Sequence, residues 1–165
     1  MEHPIDLAVP ASVALAELTG EGFLRDFAAE LGIDMVALSL GRSGDQTLAS
    51  MDWRLDTGKH DVPDLARRFL PEHVQMRWDQ AWGPLRNGRA RGTIEVAIVG
   101  RPSATTSGEC RLVAVDPGCR LTTSTTTRAQ LPRPLAGRVE ALIDRDLVGW
   151  ILSVQGRLVL ERSGA

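Results

Sequence analysis

The sequence predicts an α+β fold: an antiparallel sheet of about seven strands curves around one long C-terminal helix, with two short helices after the first strand. Three observations predict it. Apolar and polar residues alternate through successive stretches between Met35 and Ala129, the period of half-buried strands. The period lengthens in the last run, where Leu135, Val139, Leu142, Ile143, Leu147, Trp150, Ile151, Val154 and Leu158 share one broad helical arc. Consecutive hairpins make the sheet antiparallel, so a single terminal helix must fill its concave side.

The elements follow in order. Ile5, Leu7 and Val9 form a short first strand that Pro10 closes. Ser12 suits an N-cap for a first helix carrying Val13, Leu15 and Leu18. A second helix runs from about Glu21 to Leu31 with Phe23, Leu24, Phe27 and Ala28 on one face, and Gly32 stands where a left-handed C-cap is wanted. Met35 to Leu40 is a strand ending in the turn residues Gly41 to Asp45. The next strand turns Ala49, Met51, Trp53 and Leu55 inward. Gly58 to Asp61 is a loop, and Val62 to Leu70 reads as a short helix stopped by Pro71.

Val74, Met76, Trp78, Gln80 and Trp82 form the inner row of another strand, and Ala90, Gly92, Ile94, Val96 and Ile98 that of the following one. Asn87-Gly88 invites a two-residue turn between them. That tip would set Trp82 against Thr93 and spoil the facing, so a bulge or longer loop is expected, with Gly83-Pro84 as the break. Arg101-Pro102 turns the chain into a last hairpin, Thr105 to Val115 and Cys119 to Ala129, whose Pro117-Gly118 tip would pair Asp116 with Cys119 and Cys110 with Thr125. Pro132 and Pro134 lead into the terminal helix, read as one unbroken element from Leu135 to Leu158 with Arg138, Arg145 and Gln155 off its apolar arc. Gly137, Gly149 and Gly156 each cost a helix interior about 1 kcal/mol. Close approach to the sheet, a kink, or room for a ligand would account for them.

The bulk numbers narrow the function. With 165 residues and 43% hydrophobic content, the chain is expected to form one domain with a sizeable core. A net charge of -2 provides no basic field for a phosphate backbone, so nucleic acid is excluded as an expected partner. No segment has the apolar length of a membrane span and no leader is evident, so a soluble cytoplasmic protein without integral membrane association is expected. The two cysteines fall too far apart in the expected hairpin for a disulfide, which fits a reducing compartment. No histidine or cysteine pair has metal-ligand spacing, and no serine sits in a glycine-framed elbow.

A set of motifs carries a resemblance: Gln80-Ala81-Trp82, Gly88-Arg89-Ala90-Arg91-Gly92-Thr93-Ile94-Glu95-Val96, Pro102 with Gly108, Leu131-Pro132, Leu135, Gly137, Glu140 and Ile143, together with Val62 to Phe69. On these residues the chain resembles the START-like helix-grip superfamily of polyketide cyclases and birch-pollen-allergen-like proteins. More closely, it is similar to an uncharacterised bacterial START-like family of unknown function. The similarity spans nearly the whole chain and implies a single START-like domain over residues 1–165. It also implies an apolar cavity between sheet and helix that takes a hydrophobic small molecule or lipid, with no cofactor and no catalytic motif to carry over. A cyclase or aromatase acting in that cavity and a protein-interaction adaptor are the alternatives.

The candidate cavity-lining residues are Met51, Trp53, Met76, Trp78, Gln80, Trp82, Ile94, Leu112, Thr123, Thr125, Asp146 and Trp150. Aromatic and thioether groups give large, adaptable apolar contacts, although plain core packing accounts for the same tryptophans. Gln80, Thr123 and Thr125 would supply hydrogen bonds, or be satisfied core polar groups. Asp146 stands out as a carboxylate within the apolar arc, suited to anchor a polar ligand group or to act as acid or base, or else to reach solvent or an arginine.

Overall fold

In a computed structural model, which describes residues 1–58, 71–100 and 103–164, the alternating stretches pair into one seven-stranded antiparallel sheet. Its strands are β1 (Glu2–Leu7), β2 (Asp34–Ser43), β3 (Gln46–Asp56), β4 (His73–Trp82), β5 (Arg89–Val99), β6 (Ala104–Ala114) and β7 (Cys119–Ala129). The order β1-β7-β6-β5-β4-β3-β2 makes β1 and β2 the two edges. Two short helices, α1 (Ala11–Leu18) and α2 (Glu21–Glu30), follow β1, and a long C-terminal helical run closes the concave side. The expected helix at Val62 to Leu70, most of the loop before it, and the turn at Arg101-Pro102 lie outside the described residues.

The inner rows are those the alternation marks. Met51, Trp53 and Leu55 on β3, Val74, Met76, Trp78 and Trp82 on β4, and Ala90, Ile94, Val96 and Ile98 on β5 are all buried, while their neighbours face outward. Gly32 has the left-handed φ of +64° expected of a residue that ends α2. The Asn87-Gly88 tip forms, bridging Arg86 to Arg89 with both tip residues at positive φ. Yet Trp82 pairs with Gly92, so the slip of one residue occurs between them, at the expected Gly83-Pro84 break.

Several boundaries and registers differ from expectation. β1 begins at Glu2 and ends at Leu7, before Val9. Pro10 takes the N-cap position of α1, with Ser12 inside the helix. β2 runs on to Ser43, so its turn is the tight Gly44-Asp45 tip. In the last hairpin, Ala114 pairs with Cys119, which moves the register by two and sets Cys110 opposite Thr123, not Thr125. The loop of this hairpin packs on β1: a Cβ at Gly118 would come 2.1 Å from the Leu7 carbonyl oxygen, so only glycine fits there. A shift of two preserves facing, so Cys110, Leu112, Leu121, Thr123 and Thr125 still point inward.

The largest correction concerns the terminal helix. It consists of α3 (Arg133–Leu142), a π-helical segment (Ile143–Val148) and α4 (Gly149–Arg162), continuous but not of one period. A π turn takes up an extra residue and advances the following side chains around the axis. Leu135, assigned to the buried arc, is 52% exposed, whereas Gln155, assigned to the polar side, is 4% exposed. Gly156 lies against β1: a Cβ there would sit 2.8 Å from Ile5 Cγ2, so glycine allows the close approach. A Cβ at Gly137 would meet no other part of the fold within 4 Å among the described residues, so no close approach requires that glycine.

Candidate functional site

The concave face divides into a bulky half on β3 and β4 and a half with smaller side chains on β5 to β7. In the bulky half, Trp53 and Trp78 stack with centroids 5.4 Å apart. Phe27 of α2 meets each edge-on at 5.7 Å, and Phe23 stacks on Phe27. Each such pair adds about 0.5–1.5 kcal/mol beyond area burial. The apolar face of α2 therefore covers the part of the tryptophan wall assigned by expectation to the terminal helix. Met51 and Met76 are buried beside it. Trp150 is only partly buried and packs at the margin of the core.

Gln80 is buried and hydrogen-bonded through both amide atoms. Its Nε2 donates to the Leu18 carbonyl at 2.7 Å, and its Oε1 accepts from Trp78 Nε1 at 3.3 Å. Leu18 is the last residue of α1, where helix carbonyls lack an intrahelical donor, so Gln80 caps that helix from the sheet. Trp53 and Trp82 differ: each keeps a buried indole N–H with no acceptor among the described residues. Such a donor costs free energy that a ligand acceptor would recover.

In the other half, Gln80, Ile94, Gly108 and Thr125 align across four adjacent strands. Leu112 is buried two inner rungs further along β6, beyond Cys110. Thr106 and Thr127 bond hydroxyl to hydroxyl at 2.7 Å, and Thr123 lies 3.7 Å from Cys110 Sγ. Burial pushes the Cys110 thiol up to about 11 despite that hydrogen bond, which keeps it protonated. Cys119 is also free and faces Ala114, so the two thiols are not cross-strand partners.

Thr125 leads to a polar seam absent from the sequence reading. Its hydroxyl donates to Oδ1 of Asp144 in the π segment, and His3 Nε2 lies 3.1 Å from the same hydroxyl and 3.8 Å from that carboxylate oxygen. The Met1 ammonium approaches Asp144 Oδ2 at 3.5 Å. Gly149 faces the His3 ring, but a Cβ there would meet Cε1 at an ordinary 3.5 Å contact, so the seam does not require glycine. One imidazole nitrogen faces both hydroxyl and carboxylate, so the seam is not a relay that activates a nucleophile, which would use the two ring nitrogens in turn. It ties β1 and β7 to the π segment.

The inward carboxylate is thus Asp144, and Asp146 lies two residues on, bound by Arg145 at 2.7 Å. The Arg145 guanidinium holds the Asp146 carboxyl below the usual aspartate value. Nothing in the sequence separates the two aspartates, because the extra residue of the π turn leaves no compositional mark. Among the described residues no cluster of three or more histidine, cysteine or acidic side chains could hold a metal, and no helix is long and apolar enough to cross a membrane.

A curved antiparallel sheet, two short helices after its first strand and a long terminal helix across its concave side define the START-like, birch-pollen-allergen-like helix-grip fold. Residues 2–155 match the family described as "Protein of unknown function (DUF2505)", and the chain belongs to that family. Solved structures agree at the level of fold. A protein from Thermus thermophilus, TTHA0849, superposes with a TM-score of 0.58 at 15% identity, over 99% of this chain and 98% of that one. Ara h 8.0201 gives 0.55 at 14% identity over 96% of each chain. Norcoclaurine synthase from Thalictrum flavum gives 0.52 at 17% identity over 98% of this chain and 86% of that one. Among curated proteins, none matches this chain.

Proposed function

We propose that this protein is a single START-like domain, residues 1–165, that holds a hydrophobic small molecule or lipid between the sheet and the C-terminal helix. One observation carries the reading: the tryptophan- and methionine-rich wall keeps two buried indole N–H groups, those of Trp53 and Trp82, without acceptors among the described residues. An apolar wall with a few unmet polar groups is what an apolar ligand bearing an occasional oxygen needs. The aromatic face of α2 covers much of that wall, so a ligand enters as Phe27 gives way. The free, protonated thiols suit a reducing cytoplasm. The fold's likeness to birch-pollen-allergen-like proteins is compatible with this role.

Native mass spectrometry of protein purified from its own host, followed by denaturation and identification of what is released, tests the proposal. A defined apolar molecule at near one-to-one occupancy is the expected result. Protein that retains nothing, with an experimental structure whose interior is packed throughout, would refute it.

A further inference from the structure

We propose that a second site, the cleft between α1 and the ends of β2 to β4, binds a small apolar molecule carrying a carboxylate, with Arg42 as its counter-ion. No residue of the C-terminal helix lines this cleft, and of the tryptophan and methionine wall proposed above it shares Trp82 alone. Its volume is about 280 Å³. That is just under the lower end of drug-sized pockets, roughly 300 Å³. One side of α1, with Leu15 and Ala16, forms its roof, Thr47 and Trp82 its floor, and Pro84 with Leu85 its end wall.

Gly92 is the reason the floor is open. Trp82 pairs with Gly92, and a Cβ there would lie 2.8 Å from Trp82 Cδ2, so the indole rests on bare backbone. On the other side of Trp82, the paired residues Thr47 and Arg42 carry the row to the edge of the sheet. A short threonine beside a tryptophan turned toward glycine leaves space beneath α1.

The charges at the lip select the ligand. Arg42 is exposed and forms no ion pair among the described residues. The acid beside it, Asp45, is held by Arg86 at 2.9 Å. Two guanidinium groups against one carboxylate leave a single positive charge over an apolar cleft, which matches a monoanion with a hydrophobic body. Guanidinium binds carboxylate through two parallel N–H donors, and Arg42 has all of its donors uncommitted. The Thr47 and Ser12 hydroxyls line the same space.

The test is titration of the full chain with benzoate and with benzamide, its uncharged analogue, read by calorimetry and by the Trp82 indole N–H resonance. Benzoate is expected to bind saturably at one site and to shift that resonance, with benzamide at least about tenfold weaker. Arg42→Gln should weaken benzoate by about tenfold or more. Arg89→Gln, which changes an exposed arginine on the opposite face of the sheet, should leave binding unchanged. No saturable binding, equal binding of benzamide, or unchanged benzoate binding by Arg42→Gln would each overturn the proposal. The circular dichroism of both variants checks that they are folded.

Discussion

Replacing Gln80 with leucine separates a structural role for this residue from a ligand-binding one. Leucine keeps much of the volume and removes both polar atoms. The Leu18 carbonyl then loses the donor at 2.7 Å that caps α1, and the Trp78 indole loses its acceptor at 3.3 Å. A buried unsatisfied group costs about 1–3 kcal/mol; the short bond belongs near the top of that range and the long one near the bottom. The added apolar burial returns about 1 kcal/mol. The net expectation is a loss of about 2–3 kcal/mol. Urea unfolding reads it as a lower midpoint with an unchanged slope. A loss below about 1 kcal/mol at constant slope would show that the α1 carbonyl finds water or another donor, and the capping argument would fail.

Three further outcomes follow from contacts described above. Gly156→Ala gains about 1 kcal/mol in helix propensity but drives a Cβ into Ile5 at 2.8 Å, so stability is expected to fall by a net ~1 kcal/mol. Combining it with Ile5→Ala should cost less than the sum of the two single changes, and strict additivity in urea titrations would contradict the contact. Hydrogen bonds from Arg120 and Arg145 lower the Asp6 and Asp146 pKa values below the ordinary 3.8, so the stability they add is present above that pH and lost as pH falls through the lowered values. An Asp6→Asn, Asp146→Asn double variant should therefore lose less stability than wild type between neutral and strongly acid pH, and parallel profiles would contradict this. Cys110 and Cys119 should react with a thiol reagent at neutral pH far more slowly in native protein than in urea, since both are buried and burial raises both thiols. Equal rates would mean that the hairpin opens readily.

The sheet was legible in the sequence because period-two alternation fixes facing whatever the register. Met51, Trp53, Met76, Trp78, Gln80 and Trp82 all point inward as read, and even the two-residue slip at Cys110 left its facing intact. The slip at Gly83-Pro84 could be deduced because two local signals, a turn dipeptide and an inner row, were inconsistent without it. What failed depended on distant partners. Gly118 packs against β1, and the tryptophan wall is closed by Phe27, neither of which any local period records. The terminal helix differs in another way: a single period carried through residues 143 to 148 places Asp146 in the apolar arc and Gln155 off it, whereas the fold buries Asp144 and Gln155 and pairs Asp146 with Arg145, the arginine alternative. The seam with His3 and Thr125 was then out of reach, since it needs both the helix phase and the pairing of His3 with Thr123.

That π segment makes the C-terminal helix behave as a crankshaft. The faces of its two arms are set at different angles, so α3 addresses β7 while α4 addresses β1 and the two short helices. Shortening the segment by one residue would restore a uniform helix and rotate one arm by roughly 100° relative to the other. Gly156 would swing off Ile5, Gln155 would leave the interior, and the arginines that bind α1 and α2, Arg157 and Arg162, would aim elsewhere. One residue more or less at this point therefore resets the fit of half the helix, whereas the same change beyond Arg162 would only alter its length.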